Sequence, residues 1–350
     1  MIRTLPSLTL WLCLSSTVAA AEPEAIRTFG PDQPARKITL RTTTDVNILA
    51  PAIEAFLDTQ PGLAIRFEQW GSNDLYDISE ADCASGKPGA DLVISSGVQH
   101  VVKLVNDNCA ATWVSPETTA LPKDLRWRDQ VWGISREPAV MIYNRALVPP
   151  EDVPRTRFDL VDLLRPAQSP YTGKVATYDI ADSGLGFLFA FLDSQEASTF
   201  GALTEAFARS GAVATCCSAE IIDGVAGGRY LIAYNILGSY AAQAARDNPD
   251  LGIIAPADYT LVLSRAAYLP GREPNPTAAK LLDFLLSPAG KRALTKTKLI
   301  DPITRDGGGS DSDETLALQR LIALGPPLLV ATDTMKTARF LERWRDIFAQ

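Results

Sequence analysis

A strand, a helix and a second strand within about 30 residues leave a chain few architectures, and residues 37–77, KITLRTTTDVNILAPAIEAFLDTQPGLAIRFEQWGSNDLYD, have that order. Ile38 to Leu40 reads as a short strand, and a Thr-rich turn follows it. Apolar residues then recur at helical spacing, at Ile48, Leu49, Ile53, Phe56 and Leu57. Pro61-Gly62 breaks that helix before a second strand around Ala64 to Phe67. Strands joined in this way run parallel, and a parallel sheet needs helices over its faces. The expected class is therefore α/β.

The alternation continues along the chain. GADLVISSG adds a buried strand and QHVVKLVND the helix after it, while VWGISREPAVMIYNRALVP holds two strand-like runs, Val131 to Ser135 and Ala139 to Tyr143. After Pro149-Pro150 the pattern restarts. GKVATYDI reads as a strand, DSGLGFLFAFL as a helix opened by a small-residue turn, and EIIDGVAGG with RYLIAYNILGSYAAQAARDN as helix, strand and helix. LGIIAPADYTLVLSRAAYLPG supplies further strands. NPTAAKLLDFLLSPAGKRALTK starts a helix at Asn275-Pro276 and breaks it at Ser287-Pro288. From Glu314 to Gln350 the chain reads as helical, with a hinge at Gly325-Pro326-Pro327. DGGGSDSDE is a flexible low-complexity patch, and there is no internal repeat.

The first residues bear on the compartment. MIRTLPSLTLWLCLSSTVAAAEPEA carries Arg3, an apolar run from Leu5 to Val18 and the small residues Ala19 to Ala21, the layout of a secretory signal peptide over residues 1–21. Its apolar run is shorter than the roughly 20 residues that span a bilayer, and no later run is long and apolar enough. Cys13 lacks the small residues expected before a lipid-modified cysteine. Cleavage removes Arg3 and no acid, so a formal charge of -8 becomes about -9, which disfavours nucleic acid as a partner. With 46% hydrophobic and 21% charged residues, the chain is an ordinary globular one with enough length for two cores. Cys83, Cys109, Cys216 and Cys217 remain, an even number in a chain bound for export, where disulfides persist.

The order of ADLVISS, SREPAVMIYNRALV, GGRYLIAYNILGSYA and PTAAKLLDFLLSPAGKRAL resembles that of the periplasmic extracellular solute-binding proteins of ABC importers, in the branch with ferric-ion-binding proteins and phosphoglycerate-transport regulatory proteins. The likeness runs from Lys37 to Gln350 and rests on the order and spacing of all four stretches, each a short apolar segment with a polar end. It implies a two-lobe periplasmic binding protein of type II, its lobes joined by two crossing strands that close around one small solute. AVMIYNR takes the place of the first crossing and DYTLVLSRAAYL that of the second. The resemblance implies a first lobe from residues 22–140 and about 262–350, the C-terminal helices packing against it and the hinge, and a second lobe from 141–261. It also implies delivery to ABC transporter permease subunits, or, in a sensory version, docking on a membrane sensor kinase.

In open α/β sheets a ligand sits beyond the carboxyl ends of the strands, where loops lead into helix starts. Four such regions stand out: Thr42, Thr43, Thr44 and Asp45; Ser95, Ser96 and Gly97; Asp182, Ser183 and Gly184; and Asn235 with Gly238. Their hydroxyls and N–H groups suit an anion, because unpaired donors and the helix dipole both favour negative charge. Taken singly, each also reads as an ordinary cap or turn. Arg136 stands at the first crossing, either to grip a carboxylate or phosphate or to pair with Glu137 at the surface. Tyr234 and Tyr240 offer phenols to the cleft or pack in the core. The resemblance implies an adjacent tyrosine pair with a histidine for iron, whereas here the tyrosines are six apart and the one histidine, His100, reads as a helix residue. No Ser-centred hydrolase motif, phosphate loop or dinucleotide fingerprint occurs, so no enzyme is expected. The expectation is a monomeric binding protein for a small anionic organic solute, phosphorylated or carboxylated, without a cofactor; ferric binding and ligand sensing are the alternatives.

On the two-lobe reading, a bridge between lobes would hinder opening and closing, so Cys83 is expected to pair with Cys109. Cys216 and Cys217 are neighbours, about 3.8 Å apart at Cα, closer than ordinary bridges. They form either a vicinal bridge, a flat apolar plate beside Ser218 at the cleft lip, or else two free buried thiols or a redox-active pair.

Overall fold

The computed structural model describes residues 22–195, 197–300 and 319–348. The expected leader, the DGGGSDSDE loop and residues 314–318 of the tail lie outside that range. The strand, helix and strand expected from residues 37–77 form within a larger unit. In chain order it comprises β1 (Ala25–Phe29), β2 (Arg36–Thr42), α1 (Val46–Leu57), β3 (Leu63–Gln69), α2 (Ser72–Ser85), β4 (Leu92–Ser95), α3 (Val98–Asn106), α4 (Pro116–Thr119), β5 (Arg126–Trp127) and β6 (Val131–Gly133). Strand β2 is parallel to both β3 and β4, as a right-handed crossover through α1 requires. Strand β1 had no periodic signal, because only Phe29 of its residues is buried. It pairs antiparallel with β3 at the sheet edge. Helix α1 buries Ile48, Leu49, Ile53 and Phe56, each such side chain contributing about 1.5–3 kcal/mol of transfer free energy.

The chain then leaves this sheet. A second sheet is built from β7 (Glu137–Asn144), α5 (Arg157–Leu164), β8 (Val175–Tyr178), α6 (Gly184–Gln195), α7 (Ala197–Ser210), β9 (Val213–Thr215), α8 (Ser218–Ala226), β10 (Ile232–Leu237), α9 (Gly238–Asp247), β11 (Leu251–Ile254) and β12 (Thr260–Leu263). Strands β8, β9 and β10 run parallel, so their carboxyl ends share one edge. After β12 the chain returns to the first sheet as β13 (Ala266–Tyr268), between β4 and β6. With Gln319–Leu321 as β14, the strand orders are β1-β3-β2-β4-β13-β6-β5 and β14-β12-β7-β10-β8-β9, with β11 also on β7. Among the described residues, Ile134 to Arg136 and Ser264 to Arg265 are thus the two crossings between sheets, side by side, with the Ile134 N–H donating to the Arg265 carbonyl at 3.0 Å. We call the halves built on the two sheets lobe 1 and lobe 2.

Helices α10 (Pro276–Leu286) and α11 (Pro288–Lys296) pack on α1 in the lobe 1 core, broken at Ser287 as expected. The rest of the tail departs from the expectation of helices on lobe 1. Gln319–Leu321 is a strand, β14, parallel to β12 of the second sheet. Pro326–Thr332 forms 3-10 turns against α3. The last helix, α12 (Thr334–Phe348), packs on α7, burying Phe340 and Trp344 with Ile180 and Phe187 of lobe 2. The reason is its apolar face, which suits the aromatic cluster of Phe187, Phe191 and Phe200. Among the described residues, no helix is long and apolar enough to cross a membrane.

Candidate functional site

The carboxyl-edge loops of the two sheets meet along one seam. On one side, the Tyr240 hydroxyl, near the start of α9 in lobe 2, accepts from the Asp45 N–H at 3.0 Å and donates to the Thr43 carbonyl at 3.2 Å in lobe 1. On the other side, the Gly184 N–H at the start of α6 donates to Ser72 Oγ at 2.9 Å. Gln99 Nε2 donates to the Gly184 carbonyl at 2.7 Å, and Asn73 Nδ2 to the Ala181 carbonyl at 2.9 Å. A side chain on Gly184 would collide with lobe 1, since a Cβ there would stand 2.6 Å from His100 Cε1. Behind this contact α3 and α6 share one apolar cluster, with Val101, Leu188 and Leu328 among its members.

At the crossings lies an ion pair sealed from water. Arg265 Nε donates to Glu137 Oε1 at 2.9 Å, with their side chains 1% and 0% exposed. Ser135 Oγ donates to the same carboxylate at 2.7 Å, and Ser239 Oγ of lobe 2 bonds its other oxygen. Arg265 Nη1 reaches lobe 1 at Thr44 Oγ1, 3.1 Å away, and its guanidinium stands 5.5 Å from the Tyr240 ring. Burial works against the Arg265 charge, but Glu137 and Tyr240 together outweigh it and raise the guanidinium above its ordinary value. A buried pair in which both carboxylate oxygens are bonded and each guanidinium nitrogen finds a partner is the case in which burying charge is tolerated.

Two sheets, two crossings and a seam of facing loops describe a molecule that grips something between its halves, and the sequence pattern of the bacterial extracellular solute-binding proteins matches residues 42–292. The chain belongs to that family. Among solved structures this solute-binding protein is similar to the substrate binding protein of the ABC transporter from Agrobacterium tumefaciens. The identity is 30%, the match covers 93% of this chain and 98% of that one, and the TM-score is 0.84. It also shares its fold with iron-bound HitA from Pseudomonas aeruginosa (15% identity, 89% and 99% covered, TM-score 0.66) and with a ferric binding protein from Campylobacter jejuni (17%, 89% and 98%, 0.63). No curated protein sequence matches it significantly. A solute-binding protein of an ABC transporter is the role the family assigns.

The loops expected to hold a ligand do come together, but several of their polar groups pair with one another. Thr43 Oγ1 lies 3.0 Å from Ser96 Oγ and accepts from the Ser96 N–H. Ser95 Oγ accepts from the Gly97 N–H, and Thr44 bonds Thr42 and Arg265. Asp45 caps α1 through the Asn47 N–H, and Ser183 caps α6 through the Gly186 N–H. Asp182 is exposed beside them. The starts of α3, α8 and α9 differ from those of α1 and α6: none has a side-chain cap. Helix α8 begins after Cys217, and its Ser218 Oγ lies 2.6 Å from the buried Tyr178 hydroxyl.

Three expected residues sit elsewhere. Arg136 bonds neither the cleft nor Glu137; its N–H donates to the Leu299 carbonyl and its guanidinium bonds Gln319 of β14. Tyr234 and Asn235 belong to a cluster inside lobe 2, both donating to Asp193 Oδ2, at 2.7 and 2.6 Å. Arg157 and Tyr259 complete that cluster on Asp193 Oδ1. Burial and the Asp193 charge raise the Tyr234 phenol well above its ordinary value, so it remains a donor. Sequence reading missed Arg265, Glu137 as its partner, Ser72, Gln99 and Asp193. The signal was present for two of them: Arg265 interrupts the apolar run LVLSRAAYL, and Asp193 ends the apolar run FLFAFLD.

His100 was read as a helix residue, and it lies in the first turn of α3 against the seam. Its ring stacks on Tyr76 with centroids 4.6 Å apart, and its Nδ1 is buried without a hydrogen bond. Burial pushes it down to about 4, and a backbone hydrogen bond at Ser72 offsets only part of that. Cys83 and Cys109 form the expected bridge, with Cα atoms 5.3 Å apart. Cys216 and Cys217 bring their sulfurs together on an exposed surface at the end of β9.

Proposed function

We propose that this solute-binding protein captures a small anionic organic solute, phosphorylated or carboxylated, between its lobes in the periplasm and presents the closed form, as a monomer, to ABC permease subunits. The observation that carries this reading is the seam itself. Loops from the two sheets hydrogen-bond directly through Tyr240, Ser72, Gln99 and Asn73, while the crossings pivot on the buried Arg265–Glu137 pair. Such contacts exist only when the lobes are closed, so they supply the differential free energy that a solute needs to bias.

The acidic group of the solute is assigned to the start of α8, which lacks a side-chain cap and so keeps donors free for an anion. Ser218 stands there, and Cys216 with Cys217 offers an apolar face to the carbon skeleton. An organic acid is favoured over ferric ion because Tyr234 is held by Asp193 and Arg157, and Tyr240 by Thr43 and Asp45, so the two phenols serve separate structural contacts. A hard metal wants oxygen donors converging on one point.

A thermal-shift screen of the mature, oxidised protein against sugar phosphates, phosphoglycerates, phosphonates, di- and tricarboxylates and ferric citrate tests this. A solute at 100 times its dissociation constant adds about 2.7 kcal/mol, which appears as several degrees. A shift with one organic-acid class is expected. A shift with ferric ion alone would overturn the reading.

A further inference from the structure

We propose that Cys216, Cys217 and Glu220 form a redox-gated site for a soft or borderline divalent cation. Consecutive residues in extended backbone send their side chains to opposite faces. Cys217 is extended, with φ -136° and ψ 155°, yet its sulfur and that of Cys216 converge. Glu220 lies three residues on, on the first turn of α8, where i and i+3 share a face. The result is a triad whose two sulfurs and one carboxylate oxygen all lie within 4.8 Å of one another.

The two sulfurs are bonded to each other here, so only once that bond is broken can they part to the spacing a metal asks for. Tetrahedral zinc holds sulfur at about 2.3 Å, which separates neighbouring ligand atoms by about 3.8 Å, so small side-chain rotations bring the set onto one ion. A second shell is also present. Thr215 Oγ1 donates to Glu220 Oε2 at 2.6 Å and orients the carboxylate, while Arg229 stands 3.8 Å from Oε1. All three ligands are exposed, giving a cation and a reductant direct access. The fourth position stays open to water or to a ligand atom from solution, and two thiolates select soft or borderline ions over Mg²⁺ and Ca²⁺.

The gate is the bond between the sulfurs. While Cys216 and Cys217 are bridged, neither sulfur is a thiolate, and the site is closed. A dithiol reductant opens it: two electrons and two protons pass to the bridge, giving two thiols, and the dithiol leaves as its own disulfide. A cation then binds as both thiol protons depart to solvent. Cys83 and Cys109, both in lobe 1, are bonded to each other and take no part. Cys216 and Cys217 also stand where the carbon skeleton of the solute is proposed to lie, so the cation is tested without solute, and its binding stands or falls whichever solute the cleft accepts.

The test uses the full mature chain treated with a dithiol, desalted without oxygen and titrated with Cd²⁺ alone. Alkylation and mass spectrometry of the same sample locate the free thiols. One Cd²⁺ per chain, seen by thiolate-to-cadmium charge-transfer absorption, is expected in the reduced protein and none in the oxidised one. Cys216→Ser should abolish the band, and Glu220→Gln should weaken binding about tenfold. No band with Cys216 and Cys217 both mapped as free, a band that survives Cys216→Ser combined with Cys217→Ser, or equal binding by the oxidised protein would each overturn the proposal.

Discussion

Arg157 and Arg265 are each 1% exposed, each bonded to a carboxylate and each set against a tyrosine ring, Tyr259 at 3.6 Å and Tyr240 at 5.5 Å. Their partners differ in origin. Arg157 bonds Asp193, Asp258, Tyr234 and the Tyr259 carbonyl, all carried by lobe 2. Arg265 bonds Glu137 at the crossing and Thr44 of lobe 1, while lobe 2 reaches the same carboxylate through Ser239. The chemistry is shared, and the mechanical consequence is not. A network inside one lobe rides along unchanged when the lobes part, whereas one that draws on both must break some of its bonds.

The largest effect should come from the internal network. Asp193→Asn leaves Arg157 without its most buried counter-ion, and breaking such a pair costs roughly 3–5 kcal/mol. Urea midpoints should fall accordingly, while solute affinity of the protein that stays folded remains as in the wild type. Lost affinity with an unchanged midpoint would collapse the distinction between the two arginines.

Arg265→Met should cost about 3 kcal/mol, since Glu137 is left charged and buried. Here affinity should fall too, by about tenfold or more, because the contacts to Thr43 and Thr44 tie the crossing to the closed arrangement. Combining Glu137→Gln with Arg265→Met removes the stranded charge. Stability should then recover in part while affinity stays low; recovery of both would make the pair merely structural.

Acid separates the regions in another way. His100 lies on the seam, and its imidazole is lowered from 6.5 to about 4 by burial. Above pH 6.5 it is neutral whether packed or released, so it costs nothing. Between 6.5 and about 4 the released ring takes up a proton that the packed ring refuses, and the packed state loses about 2 kcal/mol by pH 5. His100→Phe keeps a ring beside Tyr76 and should flatten this share of the acid sensitivity in urea midpoints measured from pH 7.5 to 5. Identical pH profiles for variant and wild type would place the acid-labile contacts elsewhere.

The sequence displayed the sheets far better than the seam. Apolar runs such as IAYNIL and TLVL are buried along their whole length and announce themselves as strands. The Cys83–Cys109 bridge followed from what a hinge tolerates. The hinge pair was hidden because Glu137 and Arg265 stand 128 residues apart and meet only where two strands cross. Glu137 was read against Arg136, although neighbours in extended backbone face opposite ways, and that alternation argued against their pairing. Loop hydroxyls were legible as polar groups near a cleft, but not as each other's partners, since Thr43 with Ser96 and Ser72 with Gly184 are contacts of the assembled lobes.

The smallest effect tests the seam most selectively. Tyr240→Phe keeps the ring beside Arg265 and deletes one oxygen, which accepts from the Asp45 N–H and donates to the Thr43 carbonyl. Hydrogen bonds of this kind contribute about 1 kcal/mol net, and these two exist only between lobes. The loss should therefore appear as a roughly fivefold weaker solute affinity by calorimetry, carried by faster release, with the lobe 2 cluster intact. A variant that binds as tightly as the wild type would mean that the open form recovers equivalent bonds from water. Closure would then rest on the apolar cluster of α3 and α6 together with the Arg265 pivot, and the two arginines would differ in hinge mechanics alone.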